Sequence, residues 1–233
     1  MRLISPAILR LLDSERNPVR FIEIGANDGT SFDPLARWIA EGDWRGVMVE
    51  PVPHLFAELA RTHGGRPELQ LVNAAIAGED GRRTIYHLRP GAGEPGLPPW
   101  ADAVASFDRD HVLRQLEAVP DAESLLTSTV VDCLSFETLC DRYGVEEIDL
   151  LLIDAEGADL EIVETIDLDR RRPRVLVYEH HHLGERERAG CERRLSAAGY
   201  TLAAEALDTW ALDTAPDDEL SAAWRRALAS AAR

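Results

Sequence analysis

FIEIGANDG, residues 21–29, decides the fold once it is read with VMVEP at 47–51. Phe21 to Ile24 is a short apolar run of the kind that forms a buried parallel strand. It breaks into Gly25-Ala26-Asn27-Asp28-Gly29, residues small and flexible enough for a tight strand-to-helix corner. A helix is expected next, through Leu35, Ala36, Trp38 and Ile39, then a second apolar strand ending in Glu50. In a Rossmann-like sheet a glycine corner after the first strand lets the backbone approach a nucleoside cofactor, whose anionic group faces the helix N-terminus. An acid ending the second strand accepts hydrogen bonds from the ribose hydroxyls. The chain is therefore expected to bind an adenosine-type cofactor.

The corner lacks the G-x-G-x-x-G spacing that offers a pyrophosphate several backbone N–H groups. Its spacing is G-x-x-x-G, with Glu23 two residues before the first glycine. This E-x-G-x-x-x-G pattern resembles motif I of the class I S-adenosylmethionine (SAM) methyltransferases. There a single carboxylate needs only one glycine corner, and the acid lies near the cofactor's amino group. A nicotinamide-dependent oxidoreductase and a non-catalytic binding module on the same sheet are the alternatives.

At 233 residues with 45% hydrophobic side chains, the chain suits one α/β domain with a large core. No apolar run approaches the ~18 residues needed to cross a bilayer. The stripe Leu3, Ile4, Ile8, Leu11, Leu12 reads as a helix packed on the domain edge, and no small-residue cleavage site follows it. A secretory leader is therefore not expected, and a cytoplasmic, membrane-free protein is. The net charge of −17, from 42 acidic and 25 basic residues with no lysine among them, argues against a nucleic-acid partner. Arg170-Arg171-Arg172-Pro173-Arg174, the nearest basic run, reads as a solvated loop. Cys133, Cys140 and Cys191 show no metal spacing and read as buried thiols of a reducing compartment.

Strand and helix patterns alternate along the chain. Strands are expected at 69–72, 74–77, 84–88, 127–131, 148–153, 175–178, 200–204 and, antiparallel, at 209–212. Helices are expected at 55–61, in part of 106–126, and at 132–143, 160–166 and 191–198. Such βα units predict a mostly parallel sheet with helices on both faces. Residues 89–100 hold four Pro and three Gly, which forbids regular structure. That segment, with the residues up to Arg109, is expected to form a flap over the acceptor side of the site, Trp100 anchoring its end.

Ligands bind such sheets at the carboxyl ends of the strands. Those ends here carry Asn27-Asp28, Glu50, Asp154-Ala155-Glu156 and Glu179-His180. Together with Asn73-Ala74-Ala75, Gly157 and Glu161, they resemble the FkbM-type methyltransferases, whose D-x-E-G motif stands at 154–157. The resemblance covers roughly residues 20–212 and implies a single Rossmann-like class I methyltransferase domain at 21–213. A helical extension at 1–20, a variable substrate-side insertion at 89–128 and a C-terminal helix at 214–233 complete that organisation. It further implies a SAM-dependent O-methyltransferase acting on a hydroxyl of a sugar or natural product, with N-methylation as the alternative.

By that resemblance Gly25, Asn27 and Gly29 cradle the methionine end of SAM, with Glu23 and Asp28 beside them. Glu50 and Pro51 hold the ribose, Asn73 and Ala74 border the adenine, and Asp154 sits beside the sulfonium and the acceptor. An alcohol acceptor needs its proton removed, and His180 or His181 is the expected base. A Mg2+ ion on Asp154, Glu156 and Glu179 is the other route. Ser106, His111, Trp100 and Glu156 are expected near the acceptor, while His54, His63 and His87 read as structural. The partner expected is a small molecule, and nothing in the sequence argues against a homo-oligomer.

Overall fold

The computed structural model describes residues 5–89, 97–98 and 100–231. Its centre is a seven-stranded sheet. In chain order its strands are β1 (Val19–Ile24), β2 (Trp44–Val49), β3 (Leu69–Val72), β8 (Leu150–Ile153), β9 (Val175–Glu179), β10 (Tyr200–Glu205) and β11 (Asp208–Asp213). Between β3 and β8 come β4 (Ala75–Ile76), β5 (Gly81–Leu88), β6 (Ala105–Ser106) and β7 (Leu126–Leu134), which form a second sheet. The main sheet runs β10-β11-β9-β8-β1-β2-β3, and only β11 opposes its neighbours. The order reverses between β1 and β8, the point where such sheets open a crevice.

Side chains alternate across the sheet as strand geometry requires. Ile22, Ile24, Leu151, Ile153, Leu176 and Tyr178 pack on one face against α6 (Phe136–Tyr143), α7 (Asp159–Thr165) and α8 (Glu185–Ala197). Phe21, Met48, Leu150, Leu152, Val175 and Val177 pack on the other. That face is covered by α1 (Ser5–Glu15), α2 (Ala36–Glu41), α3 (Pro53–His63) and α9 (Glu219–Ala231). The doubly covered parallel sheet expected from the sequence is the fold.

Three local expectations change. The helix after the glycine corner begins only at Ala36, because side chains in 28–35 bind their own backbone instead. Asp28 accepts from Thr30 and Ser31, and Asp33 accepts from the Leu35 N–H. Residues 132–134 continue β7, with Cys133 turned inward and Asp132 outward, and the helix starts after Ser135, whose hydroxyl accepts from the Thr138 N–H at 3.1 Å. Nor is the arginine run a solvated loop. Arg171 and Arg174 are buried and paired with Asp141 and Asp218, and Arg172 is paired with Asp213.

The second sheet, ordered β4-β7-β5-β6, was not expected as a unit. Residues 81–88 of β5 pair antiparallel with 126–133 of β7. With α4 (Arg109–Gln115) and α5 (Ala122–Leu125) the small sheet stands beside the carboxyl ends of the main strands. Residues 90–96 and 99 of the expected flap lie outside the described residues.

Candidate active site

A cleft opens where β1, β2 and β8 end, closed on its far side by Ile85, Ala105, Ser106 and Phe107 of the second sheet and its flank. Its empty space is about 900 Å³, open solvent at the mouth included. Gly25 makes its floor. The Gly25 and Ala26 N–H groups donate to the Val49 carbonyl at 2.9 and 3.0 Å, and the Asp154 N–H donates to Ile24. Gly25 has φ +88°, and a Cβ there would lie 1.9 Å from the Asp154 carbonyl oxygen, so no other residue fits. Three strand ends are thereby drawn together by backbone alone.

Asn27 lines the cleft, and its N–H donates to Glu50 Oε2 at 3.0 Å, while Glu50 Oε1 accepts from Val52 at 2.7 Å. Burial pushes the Glu50 carboxyl up to about 7 despite these two bonds. Pro51 and Ala74 line the same wall. Glu23 is buried at the opposite end and meets Asp33, a residue the sequence reading did not single out. Burial, then Asp33 and Asp154, raises its proton affinity well above the ordinary value, and Glu23 Oε2 and Asp33 Oδ2 have no donor opposite them.

Three residues expected at the cofactor do not line the cleft. Gly29 packs under α3, where a Cβ would lie 2.7 Å from both Leu59 and His63, and its carbonyl bonds His63 Nε2. Asp28 holds the loop through Ser31 and Thr30, whose hydrogen bonds outweigh burial and keep its carboxyl low. Asn73 donates to the Glu50 and Pro51 carbonyls and so ties the ends of β2 and β3 together.

At the other end stands a cluster of carboxylates and imidazoles. Asp154, Glu156 and Glu179 bring one oxygen each within 4.8 Å of one another, and so do ligand atoms of His111, Glu156 and His182. His182 Nε2 lies 3.3 Å from Glu179 Oε2 and 3.4 Å from Glu156 Oε2, and His111 Nε2 lies 3.7 Å from the latter. Asp154 is open to the cleft yet ringed by protein. Burial, then Glu179, Glu156 and Asp159, raises its carboxyl well above the usual range. Glu179 is raised for the same reasons, and burial holds Asp159 at about 7. His182 is held low by burial, which outweighs the nearby Glu156.

The three consecutive histidines part company. His180 turns away to bond Thr209 of β11 at 3.0 Å, and His181 is exposed, its ring against that of His182. Neither reaches the cluster, because both N–H groups donate to Leu207 and the turn points the next side chain inward. The imidazole brought to the site is that of His182. His111 comes from α4 and is 8% exposed. Ser106 donates to the Glu156 carbonyl at 2.9 Å, holding the left-handed Glu156 (φ +49°) in place. Trp100, 38% exposed, does not line the cleft.

A family model described as the FkbM methyltransferase domain matches residues 23–220. No curated protein sequence matches the chain. Among solved structures it is similar to the methyltransferase FkbM from Methylobacillus flagellatus KT. That similarity has a TM-score of 0.52 and 13% identity, covering 84% of this chain and 44% of that one. The chain thus spans less than half the length of that protein. A precorrin-6y C5,15-methyltransferase from Geobacter metallireducens GS-15 gives a TM-score of 0.42 at 11% identity, covering 88% and 84% of the two chains. A methyltransferase from Geobacter sulfurreducens gives 0.44 at 12%, covering 91% and 78%. The likeness to the Methylobacillus protein speaks for the fold alone, but the family model takes in every strand end that meets at the cleft, and the chain belongs to the FkbM methyltransferase domain family.

Proposed function

We propose that this chain is a SAM-dependent O-methyltransferase acting on a hydroxyl of a small metabolite of the sugar or natural-product type. One observation carries the reading: a single cleft joins a glycine floor and two acidic walls to the Asp154 carboxylate at its far end. The residues fit the cofactor. Gly25 leaves a cradle that a Cβ would fill. Glu23 and Asp33 offer unpartnered oxygens to a cationic amino group, and Glu50 stands in the wall where ribose hydroxyls bind in related sheets. Bound there, SAM supplies a methyl group on a sulfonium centre.

The chain's own residues align the acceptor and take its proton. Alignment alone can contribute ~7–11 kcal/mol to lowering such a barrier. Asp154 opens on the cleft, and its raised proton affinity suits a group that receives a proton as the acceptor oxygen is alkylated. Phe32 and Phe107, also in the cleft wall, offer apolar surface to exclude water. A nitrogen acceptor would need no base, so the acidic far end favours a hydroxyl. Three buried free thiols suit a reducing cytoplasm, and among the described residues no helix is long and apolar enough to cross a membrane.

Calorimetric titration with SAM and with S-adenosylhomocysteine tests the reading. Binding of both is expected, followed by methyl transfer from labelled SAM to hydroxylated acceptors. No heat of binding at millimolar ligand would overturn the cofactor assignment. Transfer to amines alone would overturn the acceptor class.

A further inference from the structure

We propose that His111 Nε2, His182 Nε2 and Glu156 Oε2 form a binding site for a divalent transition-metal ion at the acceptor end of the cleft. These are not an acidic patch on a surface. His111 and Glu179 are each 8% exposed, and His111 Nε2, Glu156 Oε2 and Glu179 Oε2 are buried with no hydrogen-bond partner. Three unsatisfied polar atoms converging on one place is costly unless something binds them.

The spacing fits an ion. Bonds of about 2.1 Å at tetrahedral angles set ligand atoms about 3.4 Å apart. The two imidazole–Glu156 separations are 3.4 and 3.7 Å, and the ring nitrogens lie within 4.8 Å of each other. A small inward movement of the rings completes the geometry. Glu179 Oε2, 3.3 Å from His182 Nε2, stands where it can serve as a fourth ligand or hold the imidazole.

The donor set selects the ion. Asp154, Glu156 and Glu179 alone would be an all-oxygen site suited to Mg2+. Two imidazoles and one carboxylate instead favour Mn2+, Fe2+, Co2+ or Zn2+. Gln115, one turn along α4 from His111, sets its side-chain Nε2 against His182 Nδ1. A half-turn of that amide would bring its oxygen to the same nitrogen, hold the proton on Nδ1 and leave the Nε2 lone pair for the ion.

His111 belongs to α4, beside the second sheet, whereas Glu156 and His182 follow strands β8 and β9 of the main sheet. The ion would therefore clamp the acceptor-side segment onto the main sheet, with Glu156 as the ligand that also lines the cleft. Any role in holding an acceptor hydroxyl rests on the methyltransferase reading, but the binding itself does not.

The test uses the whole chain without a histidine tag, stripped with EDTA. Titration with Co2+ should give about one equivalent bound, with visible absorption bands of mixed nitrogen and oxygen ligation. Mn2+ and Zn2+ should compete, and Mg2+ should not at a hundredfold excess. His111→Ala and His182→Gln should each weaken Co2+ binding at least tenfold, while the exposed neighbour His181→Ala leaves it unchanged. Circular-dichroism melting of the metal-free proteins should match wild type in all three and reports that each is folded. Absence of Co2+ bands, binding of Mg2+ alone, or Co2+ binding indifferent to both His111→Ala and His182→Gln would each overturn the proposal.

Discussion

At the end of β1 the polar atoms answer one another: Gly25 and Ala26 donate to Val49, Asn27 and Val52 donate to Glu50, and Asn73 closes over Pro51. At the ends of β8 and β9 they do not. Glu156 Oε2, Glu179 Oε2 and His111 Nε2 are buried without hydrogen-bond partners, and burial with like charge raises the proton affinity of Asp154 and Glu179. The first region is made chiefly by backbone, and its open side-chain oxygens are those of Glu23 and Asp33. The second is made by side chains whose mutual repulsion persists until a ligand or a proton relieves it. Binding a constant cofactor suits a rigid frame, and handling a proton suits a site with unspent charge.

The contrast can be broken most severely at its backbone side. Gly25→Ala should abolish S-adenosylhomocysteine binding in calorimetry, since its Cβ would meet the Asp154 carbonyl at 1.9 Å. Gly81→Ala, with open space around it, should bind normally. Near-native binding by the Gly25 variant would show that the corner yields more than its hydrogen bonds suggest. At the side-chain end, Asp154→Asn should lower turnover at least ~100-fold, with cofactor-product affinity nearly unchanged. His180→Ala, whose ring bonds Thr209 instead, should stay within about threefold of wild-type turnover, because only one neutral hydrogen bond of about 1 kcal/mol is lost. Equal damage from both would mean that the turn after β9 rearranges in the working enzyme.

Glu50→Ala should cost ~1–3 kcal/mol of cofactor affinity through lost charge-assisted hydrogen bonds, and leave turnover at saturating cofactor largely intact. The smallest effect is on stability. Glu50 and Asp159 are raised from ordinary values of 4.5 and 3.8 to about 7, so the folded protein binds their protons more tightly than the unfolded chain. That contribution favours folding fully below pH 4 and is lost as pH rises through about 7. The Tm should therefore fall between pH 5 and pH 7.5, and Glu50→Gln together with Asp159→Asn should flatten the slope. A Tm that climbs across that interval would contradict the burial argument.

The glycine end of the cleft was legible in part, because Gly25, Asn27 and Glu50 are set locally, whereas Asp28, Gly29 and Asn73 hold loops beside it instead. Gly25 and Glu50 announce themselves by spacing from their strands, and Asp154 by following the most apolar run. The acceptor end was legible only in kind. Its carboxylates were named correctly as neighbours, since β8 and β9 pair in parallel. Which histidine turns inward was not, because that depends on two N–H groups sharing the Leu207 carbonyl from a distant hairpin. His111 was placed near the acceptor, but its partnership with His182 joins residues far apart in the chain. The small sheet was missed for the same reason: β5 and β7 each look like isolated strands, and the pairing that unites them is long-range.

That small sheet meets the main one without a shared ladder. The chain passes between them at Asn73–Ala74 and returns at Ser135, and elsewhere they touch through side chains such as Arg83 on Glu161 and Ser106 on the Glu156 carbonyl. The cleft is therefore a mechanical seam with two joints. Near those joints it is held by Ile76 and Leu134, which share a core with Val49 and Val72 of the main sheet, so the end away from them is the one with least to hold it shut.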